Sequence, residues 1–125
     1  MLDEFKDSAD FDGIWLDMNE ASSFCNGECP GFYNTPEETI PLKYVPGNHS
    51  LEDQLLPLLA KHYGGDQSID FNYHSLYAYY QVKATYEYLA QSTKERPFIL
   101  SRSSRSGLGV YGNHWLGDNY SNWQQ

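Results

Sequence analysis

Three short apolar runs along the chain each stop abruptly at a polar residue. Gly13-Ile14-Trp15-Leu16 stops at Asp17, and Phe98-Ile99-Leu100, introduced by Pro97, stops at Ser101-Arg102. A third strand-like run begins at Val110 and ends at Asp118. Short apolar runs without polar alternation suit strands buried on both faces, and Gly13 argues against a helix in the first. Between the first two lies Asn72-Tyr73-His74 and onward, a stretch free of Gly and Pro until Arg96. Asn72 is a candidate N-cap there, and Ala78, Val82, Tyr86 and Leu89 recur at helical spacing to form a buried stripe. Lys83 and Glu87 form an i, i+4 pair on another face. Residues 21–70 are irregular and hold five of the six prolines, with at most a helical turn over 55–60. The predicted order is strand, long loop, helix, strand, turn, strand.

Parallel strands that each deliver a functional group at the carboxyl end fit an α/β barrel of the (β/α)8 type. A complete barrel takes typically about 250 residues. This chain has 125, with material for about three strands. The expectation is therefore a partial (β/α)8 barrel with a long loop insertion at 21–70.

Composition narrows the chemistry. Seventeen acidic against eight basic residues give a net charge of −9, which disfavours nucleic acid and anionic membranes as partners. No apolar run approaches the ~20 residues of a membrane span. Aromatics make up 16% of the chain; over an acidic background they suit either stacking on neutral ligands such as sugars or the packing of amphipathic helices. Cys25 and Cys29 stand close together beside Gly and Pro, spaced neither as a CxxC redox motif nor with the second pair that a four-cysteine zinc site needs. They read as a short-loop disulfide or as free thiols. The sequon at Asn48 points, with a disulfide, to an oxidising compartment; a second formal sequon, at Asn119, sits in a Trp-rich segment. His49, His62 and His74 lack ligand spacing, so neither metal nor cofactor is called for.

Asp17 and Asp118 each close an apolar run beside a tryptophan, and paired carboxylates in unlike environments are what glycoside hydrolysis requires. Asp12-Gly13-Ile14-Trp15-Leu16-Asp17-Met18-Asn19-Glu20 resembles the nucleophile signature of glycoside hydrolase family 31, the α-glucosidases. Phe98-Ile99-Leu100-Ser101-Arg102-Ser103, followed by His114-Trp115-Leu116-Gly117-Asp118-Asn119, resembles that family's acid/base region. Two separate motifs occur in the family's order.

The resemblance implies a retaining hydrolase that releases glucose from α-linked glucosides by a two-step carboxylate mechanism. Asp17 would be the nucleophile, and Asp118 the general acid and then base. Arg102, Trp15, Met18 and Trp115 match residues that line the sugar subsite at the scissile bond. Glu20 is a candidate for orienting a neighbour, and His114 for a supporting role. The Cys25–Cys29 spacing after Ser-Ser-Phe also occurs in secreted members, which favours the disulfide. An α-glucan lyase or transglucosidase of the same family, and a non-catalytic sugar-binding protein, are the alternatives. The family's upstream aspartate and downstream histidine have no counterpart here, so the chain is expected to be a catalytic-domain piece spanning strands four to six. Alone it would be inactive, lacking the remaining barrel. The parent is expected to be secreted or in the secretory-pathway lumen.

Overall fold

The computed structural model describes residues 2–27, 29, 40, 51–64 and 68–123. Asn48, the glycosylation candidate, and His49 lie outside them. The chain opens with a short helix α1 (Leu2–Ser8), which buries no residue and so leaves no periodic apolar signature to read. Then come β1 (Gly13–Leu16), the long helix α2 (Asp70–Thr93), β2 (Phe98–Ser101), a single 3₁₀ turn (Leu108–Val110) and β3 (Asn113–His114).

The three strands form one parallel sheet in the order β1-β2-β3. The sheet is open, and its first pair runs in register from Gly13↔Phe98 to Leu16↔Ser101. Parallel pairing of β1 with β2 requires a crossover, which α2 supplies. Ile14 and Ile99 are register partners facing α2, where Val82, Leu89, Ile99 and Leu108 form the core. Ile14, Leu16, Tyr79, Tyr86 and Tyr111 pack against it. Trp15, one residue out of phase with Ile14, stands on the opposite face and is 62% exposed.

Four expectations need correction. Asn72 is not the N-cap: α2 begins two residues earlier at Asp70, with Ile69 capping position in extended conformation and no side-chain cap bond. In place of a cap, the buried Asp70 carboxylate accepts hydrogen bonds from His62 Nε2 (2.9 Å) and His74 Nδ1 (2.8 Å). Ala78, Val82 and Leu89 are buried as the periodicity requires, but Tyr86 is only half-buried and Thr85 takes the inner position. Thr85 is tolerated there because its hydroxyl donates to the Gln81 carbonyl at 2.8 Å.

The third strand is much shorter than the apolar run that announced it. Leu108–Val110 winds into a 3₁₀ turn, only Asn113–His114 pair with β2, and Trp115 to Asp118 lie beyond the ladder. Gly112 sits against the sheet so closely that a Cβ there would lie 2.9 Å from Val82 Cγ1 and 3.3 Å from the Ile99 carbonyl oxygen. The helical turn over 55–60 is likewise reduced to a single bond from Ala60 N–H to the Pro57 carbonyl, while Leu55 bridges Ser22.

Candidate active site

The carboxyl ends of β1 and β2 lie side by side, so the polar residues that terminate the two runs meet. Arg102 N–H donates to the Leu16 carbonyl at 3.1 Å, carrying the strand pairing one step past the sheet. After β1 the backbone turns through Met18 in the left-handed region (φ 57°), a conformation unusual for a bulky side chain. That turn brings Asp17 and Glu20 to the same guanidinium.

Arg102 Nε and Nη2 donate to the two carboxylate oxygens of Glu20, each at 3.0 Å. This is the planar bidentate pairing that arginine makes and lysine does not. Asp17 Oδ1 lies 3.6 Å from Nε, close enough for attraction but outside good hydrogen-bonding distance. The Glu20 hydrogen bond is the main cause holding the Arg102 cation above its ordinary pKa, with further attraction from Glu20, Asp17 and Asp118 overcoming partial burial. Among the described residues the hydrogen bonds of the guanidinium run through Nε and Nη2.

A second set of bonds lies beneath this ion pair. Asn19 is 2% exposed, and its Nδ2 donates to Ser101 Oγ (2.8 Å) and to Gln81 Oε1 of α2 (3.0 Å). Its Oδ1 accepts from Ser103 N–H (2.9 Å), while Ser101 Oγ–H donates to the Ser103 carbonyl (2.8 Å). Neither Asn19 nor Gln81 was singled out from the sequence. A buried amide inside a polar turn leaves no hydrophobic period, and only the company of Asp17 and Glu20 marks the stretch.

The remaining candidates lie around this pair. Trp15 and Trp115 meet edge to face with ring centroids 5.7 Å apart. Met18 is 45% exposed at the turn. His114 Nδ1 is 3.3 Å from the Ser101 carbonyl oxygen, at the margin of the site. Asp118 is exposed and follows Gly117, whose φ of +92° and approach to Arg102 Cδ place the turn beside the guanidinium. Cys25 and Cys29 are joined in a disulfide. Among the described residues no cluster of three or more His, Cys, Asp or Glu is arranged to hold a metal ion, and no helix is long and apolar enough to cross a membrane. A separate cavity of about 530 Å³ is lined, among the described residues, by Tyr73, Tyr77, Tyr80 and Gln81 with others, none of them Asp17 or Asp118.

Comparison with known proteins places these residues in context. The family profile described as the glycosyl hydrolases family 31 TIM-barrel domain matches residues 1–125. Lysosomal alpha-glucosidase of Mus musculus is 39% identical over 99% of the chain, which spans 13% of that protein. Intestinal sucrase-isomaltase of Oryctolagus cuniculus is 36% identical over 98% of the chain, and 7% of that protein is covered. Alpha-xylosidase 1 of Arabidopsis thaliana is 32% identical over 98% of the chain, and 16% of that protein is covered. The chain thus spans a small part of the curated relatives it matches.

Proposed function

The chain belongs to glycosyl hydrolase family 31, and from that premise we propose that it carries both catalytic carboxylates of a retaining α-glucosidase. Residues 1–125 would form part of the catalytic (β/α)8 barrel, about strands four to six, with 21–70 as a loop insertion. Trp15 and Leu100 would then face the barrel interior, which accounts for an exposed tryptophan opposite the helix-covered face. The lysosomal and intestinal relatives, with the Cys25–Cys29 disulfide, support a secretory-pathway location.

The observation that carries the reading is the division of labour around Arg102. Glu20 takes the bidentate hydrogen bonds, so the guanidinium charge sits near Asp17 without occupying its oxygens. Asp17 keeps lone pairs free to attack the anomeric carbon of an α-glucoside as Asp118 protonates the leaving oxygen. The glycosidic C–O bond breaks, and an ester between Asp17 and the sugar forms with inversion. Asp118, now a carboxylate, takes a proton from water as that water opens the ester, giving net retention. Arg102 would hold sugar hydroxyls through Nη1, and Trp15, Met18 and Trp115 would supply flat and thioether surfaces for the pyranose ring. A retaining site places its carboxyl groups about 5–5.5 Å apart.

The test uses the full-length protein with an α-glucoside and, because one relative is named an alpha-xylosidase, an α-xyloside. Wild type is expected to release glucose with retained configuration, and Asp17→Asn and Asp118→Asn to lose turnover. Equal turnover in all three refutes the assignment, and an anhydro-sugar product selects the lyase. Faster release of xylose than of glucose would move the substrate to α-xylosides. The isolated 125 residues are expected to release neither sugar.

A further inference from the structure

We infer that Asn19 is a positioning residue that sets the direction of the Arg102 guanidinium, an inference that rests on the proposed roles of Asp17 and Arg102. Two brackets interlock at the ends of β1 and β2. Arg102 reaches Asp17 and Glu20, which lie on either side of Asn19 in sequence. Asn19 in turn bonds Ser101 and Ser103, which lie on either side of Arg102. Each turn therefore grips the other around its own central residue.

The chemistry of the grip requires an asparagine. Both Nδ2 hydrogens are used as donors and Oδ1 as acceptor, so the amide plane is fixed at three points. The Ser101 hydroxyl closes the ring by donating to the Ser103 carbonyl, which fixes the backbone on both sides of the Arg102 Cα. With the backbone held there, the guanidinium is directed at Glu20 and away from a closer contact with Asp17. Aspartate at position 19 would keep the acceptor but put an anion where two donors stood, beside a cation that it would divert. An apolar residue would leave the Ser103 N–H without its acceptor and the buried Ser101 hydroxyl oxygen without its donor. Gln81 anchors the amide to α2 and does not flank Arg102, so its bond supports the bracket without belonging to it.

The experiment counts active sites in the full-length protein by covalent labelling with a fluorinated glucosyl fluoride and reports kcat per labelled site. Folding losses then drop out of the comparison. Asn19→Ala is expected to lower kcat per site about ten- to a hundredfold, the scale of a misplaced reacting group. Ser101→Ala should lose less, and Gln81→Ala least. The decisive measurement is the double variant with Glu20→Gln. If Asn19 acts through Arg102, the two losses overlap, and the double variant falls little further than the worse single one. Fully additive losses, or a kcat per site unchanged by Asn19→Ala, overturn the inference. Should Asn19→Ala yield no folded protein, Ser101→Ala with Glu20→Gln runs the same cycle. Failure of the wild type to label counts against Asp17 as nucleophile and so against the reading on which the inference rests.

Discussion

Asp17 and Asp118 each end an apolar run beside a tryptophan, yet the turns that carry them are held by different means. The Asp17 turn is gripped by β2: a backbone bond from Arg102, a bidentate ion pair at Glu20 and the buried amide of Asn19. The Asp118 turn follows a strand of two residues and meets the other half through single contacts: His114 Nδ1 at the Ser101 carbonyl, Trp115 edge-on to Trp15, and Gly117 beside Arg102. The nucleophile role proposed for Asp17 requires it to meet one carbon along one line, and a rigid mount would serve that. The acid/base role proposed for Asp118 acts on two different oxygens in turn, and a looser mount would be compatible with both tasks.

That contrast can be tested by weakening each mount in turn. Asp17→Asn should cost about ten-thousand-fold in kcat and Asp118→Asn about a hundred- to ten-thousand-fold, measured on an α-glucoside. A leaving group that needs no protonation should narrow the second loss and leave the first intact. Glu20→Gln removes the charge that occupies the guanidinium, and with about 1.5–3 kcal/mol at stake kcat should fall roughly ten- to a hundredfold. Arg102→Lys should do no better, since a point charge cannot reproduce the fork. A fully active Arg102→Lys enzyme would show that the bidentate geometry is irrelevant.

Smaller effects should appear in stability. Gly112→Ala forces a methyl against Val82 and the Ile99 carbonyl, costing about 1–3 kcal/mol in a denaturant titration. Gly117→Ala should cost about 1–2 kcal/mol for its left-handed backbone and, through Arg102 Cδ, also lower kcat. Arg102 gives a pH test with a definite sign. Its pKa is raised in the fold, chiefly by the Glu20 hydrogen bond. Its stabilisation is therefore complete below the unfolded guanidinium value, itself far above neutrality, and lost only as pH rises through the still higher folded one. The Tm difference between wild type and Arg102→Gln should stay constant from about pH 6 to pH 10. A difference that shrinks toward pH 10 would contradict this.

Much of the scaffold was legible because apolar burial leaves a period. Gly13–Leu16 and Phe98–Leu100 read as strands from their abrupt ends, and Ala78, Val82 and Leu89 declared the inner face of α2. Thr85 was missed because a hydroxyl bonded to its own helix is silent in a hydropathy pattern. The run from Val110 failed for the opposite reason: apolar letters were present, but Gly107 and Gly112 shape a turn and a close approach that shorten the strand. Of the residues gathered around the guanidinium, Asp17, Arg102 and Asp118 were named from motifs, and Glu20 from its charge and proximity. Asn19 and Gln81 were not, because a buried amide is recognised only when its partners, some 60 to 80 residues away, are known.

The long excursion after Glu20 is cinched near its start. Ser22 bridges Leu55, and Gly27 N–H reaches the carbonyls of Glu52 and Leu55. Its far end is fastened by the Lys61–Ile69 bridge and by the two histidines on Asp70. The excursion is thus fastened at both ends, and the ties at Ser22–Leu55 and Lys61–Ile69 share no residue with the contacts that hold Arg102 against Glu20 and Asp17. A substitution at either tie should therefore loosen the excursion and leave the Arg102–Glu20 pair as it is.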